Sequence, residues 1–180
     1  GTKLWNATRF AQMNEVAPVE GFDPASATHQ LNRWVLTELS ATIIEIDDAL
    51  EKYRFNDASA AAYRFVWNTF CDWYLELLKP VFNGEDEAAK AESRATAAHV
   101  LGEIYRLLHP FMPFITEELA TETGMLGEGE LLCHAPWPKA GVNDAEAADE
   151  INWLIDLVTQ IRSLRAEMNI KPSLQLPLVV

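Results

Sequence analysis

The sequence predicts a mainly α-helical protein, an up-and-down helical bundle followed by a short α/β segment. The apolar residues from Leu31 to Tyr53 recur with a helical period for about six turns. Residues 58–79 carry apolar side chains on nearly every side, which is typical of a helix at the centre of a bundle. After Lys171 and Pro172 the apolar residues alternate, as they do in a strand.

The first helix is predicted from an apolar stripe that ends before Pro18 and contains Leu4, Ala7, Thr8 and Ala11. Residues 18–27 contain prolines, a glycine and an Asp-Pro pair, so they are predicted to form a loop. Ser26 or Thr28 is placed to cap the helix that begins near Leu31.

Two more long helices are predicted before a sharp corner. Asn56 and Asp57 mark the start of the first, and Pro80 and Asn83-Gly84 are expected to end it. The second is rich in alanine and opens with acidic residues at the positive end of its dipole, namely Glu85, Asp86 and Glu87. Residues 109–119 form the corner, in which Pro110 stops one helix and Pro113 starts a short one.

The last part of the chain is predicted to contain an irregular stretch, a long helix and a terminal strand. Residues 124–143 are expected to be irregular, anchored on the bundle by Leu131, Leu132 and Trp137. A long helix from about Asp144 carries an apolar face of Ile151, Leu154, Ile155, Val158, Ile161, Leu164 and Met168. A strand over 174–180 would need partner strands, which we expect beyond Val180. The predicted division is a bundle over 1–143 and a long helix with a terminal strand over 144–180.

The composition indicates one globular domain of ordinary size, since the 180 residues are 49% hydrophobic. No apolar run is long enough to span a bilayer, and the first residues contain no apolar signal core. Cys71 and Cys133 have no paired spacing, so we expect two reduced thiols in a cytoplasmic protein.

The formal net charge of −13 argues against nucleic-acid binding unless the cations gather on one surface. Two segments of the sequence are rich in cations and poor in acids. Residues 1–14 contain Lys3 and Arg9 with no acid, and residues 161–171 contain Arg162, Arg165 and Lys171 against Glu167 alone. The acids are concentrated elsewhere, in blocks at 45–51 and 144–150.

Most enzymatic chemistry is excluded by the motifs that the sequence lacks. The four histidines have no metal-ligand spacing, so no metal site is predicted. The glycine-rich phosphate loops are absent, and no serine or cysteine lies in a nucleophile motif. We therefore expect no catalytic residue and no cofactor in this chain.

A recognition surface is predicted on the first helix. Aromatic residues at helical spacing normally fill a core, but Phe10 lies beside Arg9 and one turn from Asn6 and Asn14, in the acid-free segment. A guanidinium, two amides and a ring are the groups with which proteins bind phosphates and unpaired bases of RNA loops.

Several segments resemble the anticodon-binding domain of valyl-tRNA synthetases, which are class I aminoacyl-tRNA synthetases. They are residues 3–10 (KLWNATRF), 70–76 (FCDWYLE), 109–119 (HPFMPFITEEL), 135–138 (APWP) and 165–170 (RAEMNI). The proline-rich corner is shared with the leucyl and isoleucyl enzymes, whereas the first and last segments are similar to the valine branch. Ala120 departs from the family, which usually has a tryptophan there.

The resemblance implies a helical bundle of the class I anticodon-binding type that binds the anticodon arm of the tRNA for valine. It implies that Asn6, Arg9, Phe10 and Asn14 face the anticodon loop, and that Lys3, Arg162 and Arg165 contact phosphates. Arg33 and Arg64 are weaker candidates, because each is also placed to pair with nearby acids.

The same resemblance assigns catalysis to another domain of the protein. The family's two ATP-site signatures are missing from this chain, so ATP with magnesium is expected in a catalytic domain that precedes Gly1. The expected partners are the tRNA and that domain, with neither DNA nor a membrane. Two alternatives stay open: the anticodon-binding domain of an isoleucyl or leucyl enzyme, and a non-enzymatic helical module that binds proteins.

Overall fold

The structure is a computed structural model that describes residues 1–171, 173 and 174. The described chain is mainly α-helical, as the sequence predicts, and contains no strand. Its long helices are α1 (Thr2–Met13), α2 (Gln30–Glu51), α3 (Phe55–Arg64), α4 (Leu75–Asn83), α5 (Glu87–Leu108), α6 (Pro113–Glu122) and α7 (Ala145–Glu167). A π-helix, Phe65–Tyr74, joins α3 to α4, and short 3-10 turns lie at Pro24–Ser26 and Leu132–His134.

The core forms around α2, which packs against α3, α5, α7 and the π-helix. Trp34 of α2, Phe70 and Tyr74 of the π-helix, and Tyr105 of α5 are almost fully buried. Each such side chain stabilises the fold by about 1.5–3 kcal/mol through removal of apolar surface from water. The Tyr74 hydroxyl donates to Asn32 Oδ1 at 2.9 Å, so the one polar end of this ring is paired inside the core.

The π-helix is where the central helix departs from its predicted form. Its buried residues are Phe65, Val66, Phe70 and Tyr74. They repeat at intervals of four and five, a spacing that suits the i→i+5 hydrogen bonds of a π-helix better than an α-helix. The sequence pattern showed apolar groups on nearly every side, and it did not distinguish these two helices.

Of the two predicted helix terminators, Asn83-Gly84 is confirmed, whereas Pro80 lies inside the helix, because α4 continues to Asn83. A proline inside a helix costs about 3 kcal/mol or more. The last turn offsets this cost by packing: Leu78 is fully buried, and Val81 and Phe82 contact the core. Asn83-Gly84 is therefore the actual end of the helix.

The predicted cap of α2 is also wrong, since neither Ser26 nor Thr28 caps this helix. Ser26 bonds back to Asp23, whose own side chain caps the 3-10 turn. The start of α2 is held by Glu92 of α5, which accepts from the backbone nitrogens of Thr28 (3.1 Å) and His29 (2.9 Å). The Glu92 carboxylate of α5 therefore accepts the hydrogen bonds at the start of α2, in place of the predicted hydroxyl cap from Ser26 or Thr28.

The corner and the irregular stretch follow the prediction, with one exception. Helix α5 ends at Leu108 and α6 begins at Pro113, on either side of Pro110. Leu132 is buried, and the Trp137 indole donates to Asp47 at 2.8 Å, so both anchor the stretch. Leu131 was expected to do the same, but it is about half exposed.

Helix α7 begins as predicted at the Asp144 cap, whose carboxylate accepts from Ala147 N. Ile151 and Ile155 pack on the core, whereas Leu164 and Met168, on the same predicted face, are largely exposed. The strand predicted over 174–180 lies outside the described residues except for Leu174, which is irregular. The division at residues 143 and 144 stays a prediction.

Candidate nucleic-acid interface

Helix α1 presents one face to the core and the opposite face to solvent. Leu4, Ala7, Thr8 and Ala11 are buried. The Thr8 hydroxyl and the Tyr105 hydroxyl share a hydrogen bond of 2.7 Å, which fixes the rotation of α1 on α5. Because of that rotation, Asn6, Arg9 and Met13 lie on the exposed side.

Arg9 is the cation with the fewest competing partners on this surface. Its side chain is exposed, and it forms no ion pair or hydrogen bond with any residue that the structure describes. A guanidinium in that state keeps its donors available to a phosphate or a base edge.

A groove of about 290 Å³ runs between α1, the π-helix and α4. Its lining includes three of the predicted contact residues, Lys3, Asn6 and Phe10. The sequence interpretation did not single out the opposite wall, to which Asp72, Glu76 and Lys79 contribute. Glu76 and Lys79 belong to the segment that the sequence predicts as a central core helix. Its apolar pattern therefore did not indicate that one side of it lines a groove.

Both lysines of the groove are paired with carboxylates. Lys3 Nζ donates to Asp72 Oδ1 at 2.5 Å and to the Trp67 carbonyl at 3.4 Å. Lys79 Nζ donates to both carboxylate oxygens of Glu76 at 2.7 Å. The surface is therefore not free of acids as its first helix is, because folding brings these two carboxylates from a distant part of the chain.

Phe10 is half-buried, and its ring packs against Phe82 with the two centroids 6.5 Å apart. Asn14 does not project freely beside it. The Asn14 side-chain nitrogen donates to the Phe10 carbonyl at 2.8 Å, and the Asn14 carbonyl accepts from Arg94 at 2.9 Å. In this structure, Asn14 closes the end of α1.

Cys71, which lines the groove, is a half-buried thiol. Burial raises its pKa to about 11, with Lys3 opposing and Asp72 adding to that rise. The group is therefore protonated at neutral pH and acts as part of the apolar floor.

The second cation-rich segment contacts the same π-helix at Trp73. The Arg162 guanidinium lies 5.4 Å from the centroid of Trp73, the residue next to Asp72. Arg165 donates to the carbonyls of Lys171 (2.7 Å) and Leu174 (2.8 Å), so it holds the turn that follows α7. Each predicted phosphate-binding segment therefore contacts the π-helix, the first through Lys3 and the second through Arg162. Arg165 is already engaged with the backbone.

Arg33 and Arg64 are paired with acids, the outcome left open by the sequence. Arg33 forms an ion pair with Asp144 and donates to the Ala27 carbonyl, so it joins α2 to the start of α7. Arg64 pairs with Glu45 at 2.5 Å.

Within the described residues, no group of three or more histidine, cysteine or acidic side chains is arranged to hold a metal ion. A helix long and apolar enough to cross a membrane is likewise not found there.

Comparison with known proteins identifies the family. Residues 32–180 match the family described as the anticodon-binding domain of tRNA ligase. The chain is 65% identical to the valine–tRNA ligase of Rhizobium meliloti and 62% identical to that of Mesorhizobium japonicum, in both cases over its full length. The Brucella suis valine–tRNA ligase is 57% identical over the full chain. The chain spans about a fifth of the length of these relatives, 19–20%. This protein therefore belongs to the family of anticodon-binding domains of tRNA ligases.

Proposed function

We propose that this chain is the part of a valine–tRNA ligase that binds the anticodon arm of the tRNA for valine. The observation that carries the proposal is the exposed side of α1, where Arg9, which has no partner among the described residues, lies beside a groove lined by Asn6 and Phe10. The names of the relatives support valine as the amino acid, and the family description supports the anticodon as the part of the tRNA that is bound.

In this proposal the whole ligase joins valine to its tRNA in the cytoplasm, with ATP and magnesium bound by a catalytic domain outside these residues. The role of this chain is to hold the anticodon arm and so to help place the distant acceptor end. Binding of this kind lowers the Michaelis constant for tRNA without changing how the amino acid is activated.

The charge of the chain is compatible with RNA binding because charges act locally. At physiological salt the Debye length is about 8 Å, so an exposed acid farther away contributes little to the potential at Arg9. The acidic remainder of the surface disfavours other docking orientations. We therefore expect binding that weakens steeply as salt rises.

Arg9→Ala in the full-length ligase tests the proposal. We expect the Michaelis constant for tRNA to rise about tenfold, since a charge-assisted contact of about 1.4 kcal/mol is lost. Valine-dependent pyrophosphate exchange should be unchanged, because activation does not involve the anticodon arm.

Arg64→Ala is the matched control, since it removes an arginine that is exposed but already paired with Glu45. The Michaelis constant of this variant for tRNA should change by less than twofold. A loss of amino-acid activation in Arg9→Ala would contradict the role given to Arg9.

A gel shift separates the two alternatives. Better binding of the tRNAs for isoleucine or leucine than of the tRNA for valine would favour an isoleucyl or leucyl enzyme. No tRNA binding at all would favour a protein-binding module.

A further inference from the structure

A second pocket, of about 200 Å³, lies between α5, the loop that follows α1 and the segment that follows α6. It shares no lining residue with the groove beside α1. Val19 and Phe22 line it from the loop, and Met125 lines it from the segment after α6. Gly102 of α5 makes room for this methionine, because a side-chain carbon at Gly102 would lie 3.2 Å from the Met125 sulfur. Part of the pocket is therefore apolar.

The polar part of the pocket contains an ion pair whose hydrogen-bonding capacity is only partly used. Glu103 Oε1 accepts from Arg106 Nη1 at 2.5 Å, and the Glu103 side chain is only 9% exposed. Glu103 Oε2 and the other guanidinium nitrogens of Arg106 form no hydrogen bond with the residues that the structure describes. Burial raises the pKa of Glu103, and the Arg106 charge opposes that rise. A buried carboxylate with one free oxygen gains stability from a second cationic donor.

His99 completes the polar part of the pocket without adding charge. Its ring packs against Phe22, with the two centroids 5.9 Å apart. Burial lowers the pKa of His99, and Arg106 lowers it further, so the imidazole is neutral at neutral pH. A neutral imidazole offers one donor and one acceptor nitrogen. The pocket therefore presents one negative and one positive group side by side, with no net charge.

We infer that this pocket binds a small α-amino acid with an apolar side chain, in its zwitterionic form. The ammonium group donates to Glu103 Oε2 and the carboxylate accepts from Arg106, so that two opposite dipoles lie antiparallel. Arg106 disfavours a ligand that is only an amine, and Glu103 disfavours one that is only a carboxylate. A cavity of about 150 Å³ holds benzene, so one of about 200 Å³ takes roughly eight non-hydrogen atoms, the size of valine.

Titration of the 180-residue chain with valine, followed by NMR spectra of the backbone amides, tests this inference, which does not depend on tRNA binding. The amide signals of Gly102 and Met125 should shift and saturate, with a dissociation constant of about 1 mM. Three ligands each lack one recognised part of valine: glycine lacks the apolar side chain, isovalerate the ammonium group and isobutylamine the carboxylate. Each should bind about tenfold more weakly or less. Isovalerate or isobutylamine binding as tightly as valine would overturn the inference, and so would the absence of a saturable shift with valine.

Glu103→Gln should weaken valine binding about tenfold, because the charge-assisted acceptor of the ammonium group is lost. Glu87→Gln is the matched control. Glu87 also pairs with a cation three residues later on α5, Lys90, but it does not line the pocket, so this variant should bind valine within about twofold of the unaltered chain. Unchanged affinity in Glu103→Gln, or an equal loss in Glu87→Gln, would contradict the assigned site. Urea unfolding checks that both variants are folded, and the ligand series on the unaltered chain decides the question if Glu103→Gln is not.

Discussion

Replacement of Glu92 by glutamine should destabilise the chain by about 1–2 kcal/mol at neutral pH, because this carboxylate caps α2 from another helix. It accepts four hydrogen bonds: from Thr28 N (3.1 Å), Thr28 Oγ1 (2.8 Å), His29 N (2.9 Å) and Asn32 Nδ2 (2.9 Å). Burial raises the pKa of Glu92, but the four bonds together lower it further, so the net pKa is below its ordinary value.

The size of the destabilisation depends on which of the four donors can bond to water once the carboxylate is gone. Thr28 is exposed, so water replaces its two bonds at little cost. His29 is half-buried and the Asn32 side chain is fully buried. Two donors left without an acceptor cost about 1–3 kcal/mol each, so Glu92→Ala should lose about 2–6 kcal/mol. Glutamine keeps one acceptor oxygen and loses only the charge, so Glu92→Gln should cost the smaller figure of about 1–2 kcal/mol.

Urea unfolding of the unaltered chain and of Glu92→Gln at several pH values measures this. A carboxyl whose pKa is lowered by folding contributes stability above its unfolded pKa, near 4.5, and loses it as pH falls through the folded value. The difference between the two proteins should therefore be largest near pH 7 and shrink below about pH 4.5. Glu118→Gln, at an exposed position on α6, should change stability little. A Glu92→Gln difference that is absent, or that persists unchanged in acid, would refute the cap.

Two other predictions concern the core and the thiols. Leu78→Ala should lower the free energy of unfolding by about 2–5 kcal/mol in urea, because Leu78 is fully buried in the helix that continues past Pro80; a loss below 1 kcal/mol would show that this turn is not packed. At pH 8 iodoacetamide should alkylate the exposed Cys133 well before Cys71, whose pKa of about 11 keeps it protonated, as mass spectrometry would show. Faster labelling of Cys71 would mean that the floor of the groove opens to solvent.

The sequence predicted elements whose signals are local. The period from Leu31 to Tyr53 gave α2, and Asp86 and Asp144 cap α5 and α7 as the acids around them indicated. The exposed side of α1 was likewise accessible, since Leu4, Ala7 and Ala11 set its buried face and leave Arg9 outward.

What the sequence could not give is pairing between distant segments. Lys3 meets Asp72 and Thr28 meets Glu92 only after the bundle has assembled, and neither pair has a local signature. Pro80 misled for the related reason that packing of Leu78 outweighed the local preference of the backbone. The walls of the groove depend on such pairings, so only three of its nine lining residues were predicted from the sequence.

Two hydrogen bonds, from Tyr74 to Asn32 and from Asn32 to Glu92, connect the π-helix to α5 through the core. Tyr74 lies two residues after Asp72, on the helix that forms the groove wall, and its hydroxyl is tied to the same asparagine that Glu92 holds. Because Asn32 bonds to both residues, we expect a substitution of Glu92 on α5 to loosen the hold on Tyr74 and so to shift the groove wall. Under the proposed function, we expect a variant at Glu92, which does not line the groove, to lower the affinity for tRNA while leaving amino-acid activation unchanged.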